Sequence, residues 1–320
     1  MVGAGLMGRL IGWQCVKKQH QVTLYEKASR NTPQSAAHVA ASLLASTSER
    51  PESDDAYMAM ARSSRDVWRA WCDELSVPYA FDGTLVVAHP VDVSLLEKFE
   101  TTLRRHRIPE FVKLGGPELQ EVEPALASHF RNGILLETEG WLDNRALLEA
   151  LESRCGNILY EHSVEPEDLS ADCVIDCRGA GSTNPEIRAI RGEIIRLFAP
   201  EVNFTHPIRL LHPKYRVYIA PRSNHQYVVG ATQIESSIEC GVTVQGALEL
   251  LSAAYSVNPG FQDAEITEIA TGLRAAFDDN LPRVQWHSSV LEVNGLYRHG
   301  YSIGPAIVGQ AMEQIQACAN

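Results

Sequence analysis

The chain has 320 residues, of which 45% are hydrophobic and 21% charged, a composition typical of folded globular proteins that argues against disorder. Its length predicts two domains, or one large α/β unit with an insertion. The 28 Lys and Arg residues against 40 Asp and Glu give a net charge of −12, which disfavours binding to nucleic acid. Every apolar run is shorter than the roughly 18–20 residues that a bilayer span needs, so no membrane span is expected.

The seven cysteines are odd in number, scattered along the chain and never spaced as C-x-x-C. This usage predicts reduced thiols and a cytoplasmic location. The histidines nearest to the motifs described below (His38, His225 and His299) lack the spacing of metal ligands, so no metal site is predicted.

The N-terminal segment contains the pattern Gly3-x-Gly5-x-x-Gly8, which opens an apolar-periodic helix. A short strand follows at residues 21–25 and ends in Glu26, eighteen positions after the last glycine. A glycine turn between a strand and a helix, with an acidic residue after the next strand, is typical of a dinucleotide site. The helix N-terminus binds the pyrophosphate, and the acidic side chain accepts hydrogen bonds from a ribose. The alternative that Glu26 is only a solvated residue at the end of the strand stays open.

The first strand of this unit is unusually short, since only Met1 and Val2 precede Gly3, whereas a strand usually has about five residues. Either the strand is reduced, or the natural chain starts upstream of this Met.

Later elements follow from hydrophobic periodicity. Helices are predicted at 56–75, 93–107, 144–153 (capped by Asp143 or Asn144), 244–255 and 305–317. Strands are predicted at 83–87 and 172–177, and residues 191–233 alternate with the period of an antiparallel sheet. This antiparallel block interrupts an otherwise parallel α/β pattern, so the domain boundaries are expected to interleave.

Seven segments occur in the same order as the motifs of one known family. They are small residues at 36–44, W-L-D-N-R-A-L at 141–147, R-G-E at 191–193, Y-I-A-P-R at 218–222, V-G-A-T at 229–232, G-L-R at 272–274, and Y-R-H-G at 297–300 with G-P at 304–305. On these segments, and on the strand 171–180, the chain resembles the D-amino-acid-oxidase-like family of FAD-dependent oxidoreductases. Within it, the resemblance is strongest to glycine oxidase of thiamine biosynthesis.

The resemblance implies an α/β fold (α+β, two-domain) in which a Rossmann-like FAD-binding domain carries an inserted antiparallel-sheet substrate domain. The implied FAD-binding domain consists of residues 1–78, 134–188 and 265–320, and the substrate-binding domain of residues 79–133 and 189–264.

The cofactor implied by the resemblance is FAD, bound non-covalently because no cysteine lies near the loops around Ser42 or Arg298. The residues assigned to it are Gly3, Gly5, Leu6, Met7, Gly8, Glu26, Lys27, Ala36, Ala37, Ala41, Ser42, Leu43, Val164, Gly179, Arg298, His299, Gly300, Tyr301 and Ser302.

The catalytic residues implied by the resemblance are Arg274, Arg298 and Tyr218. Arg274 would bind the substrate carboxylate, because a guanidinium fork contacts both oxygens, with Arg298 beside the flavin and Tyr218 as a further donor. The alternative that Arg274 forms an ion pair with Asp278 or Asp279, without binding substrate, stays open. Arg298 as a loop-bracing arginine and Tyr218 as a core residue are also open.

The implied reaction is FAD-dependent oxidative deamination of glycine or another small amine, by hydride transfer from Cα to flavin N5 and hydrolysis of the imine. A D-amino-acid or sarcosine-type oxidoreductase, or a flavin-binding protein without turnover, are the alternatives. The electron acceptor is O2 or another oxidant, and homo-oligomerisation is left open. Departures from the family pattern (Ser42 for glycine, Leu43 for methionine, Gln233, Ala275, Leu296 and His299) put the identity of the amine in doubt.

Overall fold

The computed structural model describes residues 1–214, 216–238 and 240–318, apart from the side chain of Glu52. Its α-helices are α1 (Leu6–Lys17), α2 (Ala36–Val39), α3 (Asp55–Leu75), α4 (Val93–Arg105), α5 (Gly116–Val122), α6 (Asn144–Glu152), α7 (Val244–Val257) and α8 (Gly300–Cys318). Its strands are β1 (Thr23–Glu26), β2 (Leu43–Leu44), β3 (Tyr79–Ala80), β4 (Thr84–Ala88), β5 (Phe111–Gly115), β6 (Asn132–Leu136), β7 (Gly140–Leu142), β8 (Asn157–Tyr160), β9 (Val174–Asp176), β10 (Arg188–Phe198), β11 (Ile208–Leu211), β12 (Arg216–Pro221), β13 (Gln226–Gly230), β14 (Ile234–Glu235), β15 (Glu265–Ala276), β16 (Arg283–His287) and β17 (Val290–Asn294).

The N-terminal βαβ pattern forms the centre of a mostly parallel sheet. Strand β1 pairs in parallel with β8, and β9 pairs in parallel with β17, which continues antiparallel to β16. Val2 joins the two halves, because it bridges Tyr25 on one side and Asp176 on the other. In the described residues this first strand is represented by the two bridges of Val2. Helices α1 and α8 pack against each other and against strands of this sheet.

The predicted antiparallel block forms a second, larger sheet. Its strand order is β14-β10-β13-β12-β11-β4-β6-β5, and β15 pairs antiparallel with β10 along nearly its whole length. Only the β11–β4 pair of this path is parallel. Helix α7 packs on β10, β12 and β13 and covers a core that includes Ile195, Tyr227 and Val229. A small sheet of β2, β7 and β3 lies apart from both.

The predicted division into two domains stays a prediction. Strand β15, which that division assigns to the FAD-binding part, pairs with β10 of the large sheet from Ala276 back to Glu265. This strand therefore belongs to the large sheet.

The last helix begins at Gly300, five residues before the predicted start at Pro305. A proline inside a helix leaves the carbonyl four residues earlier without its usual N–H donor. Here the indole N–H of Trp68 on α3 donates to that carbonyl, on Tyr301, over 2.5 Å. The N–H of Ala306 is close to the hydroxyl of Ser64 at 3.2 Å, so α3 supplies the side-chain partners that let α8 pass through the proline.

Candidate active site

A single cavity of about 1180 Å³ is shared by the two sheets. Its walls come from the turn after Val2, the segment 34–45, strands β10, β12 and β15, and the loop 296–302. Its volume lies above the roughly 300–1,000 Å³ typical of pockets for one small ligand, which favours a ligand larger than a single small molecule.

The glycine turn is shaped by close backbone contacts. Gly3 has φ +94°, in the left-handed region that glycine tolerates, and a Cβ there would lie 2.6 Å from the carbonyl oxygen of Cys177. A Cβ on Gly8 would collide with the carbonyl oxygen of Gly3, so Gly8 serves helix packing and does not line the cavity. A Cβ on Gly5 would approach only Ser35, at 3.8 Å, which leaves the face of the turn open to a ligand.

Glu26 lies at the same turn, at the end of β1. Its carboxylate oxygens accept hydrogen bonds from the N–H of Ala4 (2.9 Å) and the N–H of Ala28 (3.0 Å). Glu26 and Lys27 both line the cavity. The carboxylate is therefore fixed beside the N-terminus of α1, whose first N–H groups have no partner within the helix.

The structure brings the other predicted site residues to this cavity as well. With Gly8 excepted, the cavity is lined by Gly3, Gly5, Leu6, Met7, Glu26, Lys27, Ala36, Ala37, Ala41, Ser42, Leu43, Val164, Gly179, Tyr218, Arg274, Arg298, His299, Gly300, Tyr301 and Ser302.

The small-residue segment is held to the large sheet through Ser42. Its backbone has φ +46°, in the left-handed region that favours glycine. The Ser42 hydroxyl donates to the carbonyl of Leu142 over 2.5 Å and accepts from Arg222 at 3.0 Å. Arg222 also donates to the carbonyl of Ala41, so one buried arginine fixes two consecutive residues of the cavity wall.

The start of α8 is tied to the same segment. The Tyr301 hydroxyl donates to the carbonyl of Ala37 (2.9 Å), and Ser302 accepts from the N–H of Ala45 (3.1 Å). The ring of His299 packs against that of Tyr57, with centroids 4.3 Å apart. Burial lowers the pKa of His299 to about 4, so this imidazole is neutral near pH 7.

Arg274 projects from β15 across the neighbouring strand. Its guanidinium lies over Gly192, where a Cβ would come within 2.5 Å of Cζ, and it donates to the carbonyl of Thr232 at 3.1 Å. Burial, and to a smaller extent the charge of Arg298, lowers the pKa of Arg274. The ion pair of Arg274 with Asp278 or Asp279, which the sequence left open, is not formed in the described part of the chain. Asp278 lies beside Arg188 and Asp279 lies beside Arg283.

Tyr218 has a similar arrangement on β12. It is directly opposite Gly230 on β13, and a Cβ on that glycine would lie 2.9 Å from the Tyr218 hydroxyl. Desolvation in the cavity wall raises the pKa of the phenol, with the nearby charge of Arg274 opposing it. The hydroxyl therefore stays protonated at neutral pH and is able to donate a hydrogen bond into the cavity.

Comparison with known proteins is consistent with this geometry. The model of the FAD dependent oxidoreductase family named DAO matches residues 1–314. The chain belongs to this family. It is 35% identical over 318 residues to the provisionally named thiamine biosynthesis oxidoreductase ThiO of Rhizobium etli, covering 98% of this chain and 94% of that protein. It is also 27% identical to the glycine oxidase of Geobacillus kaustophilus, covering 95% of this chain and 89% of that protein.

A crystal structure of glycine oxidase from Geobacillus kaustophilus superposes with a TM-score of 0.86 at 22% sequence identity, covering 99% of this chain and 93% of that one. The fold class and the family resemblance predicted from the sequence are thereby confirmed. The protein is an FAD-dependent oxidoreductase.

The residues of this oxidoreductase fit FAD. The open face of Gly5 and the helix N-terminus behind it would hold the pyrophosphate of FAD. The fixed carboxylate of Glu26 would accept hydrogen bonds from a ribose. No helix of the described residues has the length and apolar character to cross a membrane, and those residues contain no group of His, Cys, Asp or Glu side chains suited to a metal ion.

Sequence reasoning missed Glu49, a buried carboxylate in the cavity wall. It pairs with Arg209 over 2.7 Å and also with Arg298, and the side chain is only 9% exposed. Burial alone would raise the pKa of Glu49, but the two guanidinium groups hold it far below its usual range. Arg298 is thus held by a carboxylate that lies about 250 residues away in the chain, a contact that no local spacing reveals.

Proposed function

We propose that this FAD-dependent oxidoreductase oxidises a small amino acid such as glycine to its imine, which water then hydrolyses. The observation that supports this most is a pair of hydrogen-bond donors on the cavity wall: Arg274, which lies over Gly192, and Tyr218, which lies opposite Gly230. The guanidinium of Arg274 and the hydroxyl of Tyr218 both line the cavity that also contains the dinucleotide turn. A planar guanidinium with an adjacent phenol is well suited to bind one carboxylate.

Bound FAD supplies the two-electron oxidation, in which the hydrogen on the substrate Cα is transferred as a hydride. The protein residues then have three tasks. Arg274 and Tyr218 bind and orient the carboxylate, which fixes the position of Cα. The neutral ring of His299 and the small residues of the segment 36–44 exclude water, and Glu49 holds Arg298 in place.

The names of the relatives support glycine as the first substrate to test, since one of them is called glycine oxidase and another is named for thiamine biosynthesis. O2 or another oxidant serves as the electron acceptor in this proposal, and FAD is held non-covalently. The proposed location is the cytoplasm.

The test is anaerobic mixing of the yellow, FAD-loaded protein with glycine, N-methylglycine and both enantiomers of alanine. Loss of the oxidised-flavin absorption is expected with at least one of these amino acids. Peroxide formation on admitting air then separates an oxidase from a dehydrogenase. If the flavin stays oxidised with all four, the protein binds FAD without amine turnover and the proposal is wrong.

A further inference from the structure

Thr232 lies in the short connection between β13, which ends at Gly230, and β14, which begins at Ile234. Both of these strands pair with β10 on the side opposite to β15. The side chain of Arg274 starts on β15, crosses β10 over Gly192 and donates to the carbonyl of Thr232 at 3.1 Å. The direction of that carbonyl therefore contributes to the orientation of the guanidinium.

Thr232 is itself held by Glu193 through three hydrogen bonds. Its N–H donates to the carbonyl of Glu193 (3.2 Å), and its hydroxyl accepts from the N–H of Glu193 (3.0 Å). The same hydroxyl donates to the Glu193 carboxylate at 3.2 Å. Because the backbone and the side chain of Thr232 are bonded to one residue, its carbonyl keeps one direction, toward Arg274.

The carboxylate of Glu193 is fixed from the side of α7 as well. Glu193 is fully buried, and its carboxylate accepts from the N–H of Thr243, the N-cap of that helix, at 3.0 Å. Arg191 lies 3.9 Å away, and a Cβ at Gly246 would collide with the carboxylate. These donors offset the cost of burying the charge, and the crowding keeps the carboxylate beside Thr232.

We propose that Thr232 and Glu193 are positioning residues for the substrate carboxylate: Glu193 fixes Thr232, and the carbonyl of Thr232 orients the guanidinium of Arg274. This inference rests on the proposed function and adds to its site two residues that act through the arginine. An arginine that is already oriented loses less rotamer freedom when a carboxylate binds. The segments R-G-E, V-G-A-T and G-L-R then act as one unit, although they lie far apart in the chain.

The test measures carboxylate binding without turnover. Methoxyacetate has an ether oxygen in place of the amine of N-methylglycine, and calorimetric titration of the FAD-loaded protein gives its affinity. Thr232→Val keeps the shape of the side chain but removes the hydroxyl, and it is expected to weaken binding by about fivefold, the effect of one hydrogen bond. Thr232→Ser keeps the hydroxyl and should stay within about twofold of the wild type.

Thr243→Val is the matched control, because it removes the other threonine hydroxyl beside the same carboxylate, 3.4 Å from it. That hydroxyl accepts from the N–H of Gly246 at the start of α7, so its loss should lower the urea midpoint and leave the affinity for methoxyacetate unchanged. Glu193→Gln presents one acceptor oxygen where the carboxylate presents two, and it is expected to weaken binding as Thr232→Val does. It also provides the measurement if Thr232→Val does not fold.

Steady-state kinetics with an amino acid that reduces the flavin gives a second measurement. Thr232→Val should raise KM by the same factor and leave kcat within about twofold, since the lost contact affects the bound substrate and the transition state alike. Wild-type affinity and KM in folded Thr232→Val would overturn the inference, while loss of affinity in Arg274→Ala would still support the proposed function. Weaker methoxyacetate binding by Thr232→Val, without flavin reduction by any amino acid in the wild type, would have the opposite meaning: a positioned carboxylate site without the proposed reaction.

Discussion

The guanidinium of Arg274 lies directly over Gly192, on the strand next to its own. The Cα partner of Gly192 is Gly272, two residues before Arg274, so the arginine side chain crosses diagonally to the neighbouring strand. Any side chain at 192 would occupy the space of the guanidinium, since a Cβ there would lie 2.5 Å from Cζ. The glycine of the R-G-E motif therefore sets the position of an arginine about eighty residues later.

Gly192→Ala is expected to displace Arg274 and to raise the KM for the amine by about tenfold or more, since part of a charge-assisted contact is lost. FAD content should stay near wild type, because Gly192 is not part of the Gly3–Gly8 turn and its Cβ position faces the Arg274 guanidinium. Gly309→Ala is the matched control: no atom lies within 4 Å of its Cβ position, and Ala in an exposed helix stabilises by roughly 0.5–1 kcal/mol. An unchanged KM in a folded, FAD-loaded Gly192→Ala protein contradicts the assignment.

Arg274 itself can be tested by two substitutions. Arg274→Ala should weaken binding of the amino-acid substrate by roughly 2–5 kcal/mol, because the carboxylate then lacks its charged partner. Arg274→Lys should recover only part of this loss, since an ammonium does not make the bidentate contact. Flavin affinity is expected to change little in either variant. Arg283→Ala, which removes an arginine outside the cavity, is the control. Oxidation with wild-type apparent affinity by Arg274→Ala would show that the carboxylate binds elsewhere.

The elements near the N-terminus were predictable because their signals are local. Gly3, Gly8 and Glu26 lie within one βαβ unit, and each role follows from a short spacing. The family motifs extend this to Tyr218 and Arg274, although their positions over glycines appear only in the structure. Glu49 was missed for a physical reason: its significance depends on ion pairs with Arg209 and Arg298, which lie far away in the chain and which no short window of the sequence contains.

Ser42 is a second residue whose role could not be predicted from the sequence alone. The sequence marks it as a departure from glycine, but only the structure shows both the positive φ and the hydroxyl contacts that accompany it. Ser42→Ala keeps the backbone strain and removes the acceptor for Arg222, so a loss of about 1–3 kcal/mol is expected. Ser42→Gly loses the same contacts but relieves strain of roughly 1–2 kcal/mol.

Urea unfolding of the two FAD-loaded variants is expected to rank them as wild type, then Ser42→Gly, then Ser42→Ala. The comparison between the two variants isolates the backbone, because both lack the hydroxyl. Equal stability of the glycine and alanine variants would mean that residue 42 is not strained.

Glu139 provides a test that depends on pH. It is fully buried behind the cavity wall, and its carboxylate accepts from the N–H of Ser48 over 2.6 Å. Burial raises its pKa to about 7, against the opposing effects of that N–H and of Arg209. Because this pKa exceeds the ordinary value of 4.5, the folded protein keeps a proton that the unfolded chain releases. The resulting stability is fully present below pH 4.5 and is lost as the pH rises through 7.

Glu139→Gln retains an oxygen acceptor for Ser48 and has no charge to bury. Its free energy of unfolding should therefore be close to that of the wild type near pH 5 and exceed it near pH 8, by up to about 3 kcal/mol. Glu137→Gln is the matched control, because Glu137 is two residues away and exposed, and its difference from wild type should not vary with pH in this way. Denaturant unfolding of all three proteins at pH 5, 6, 7 and 8 measures the differences directly. If the difference between Glu139→Gln and wild type were constant over this range, the carboxyl group would already be ionised in the folded protein at pH 5, and Arg209 would be its effective partner.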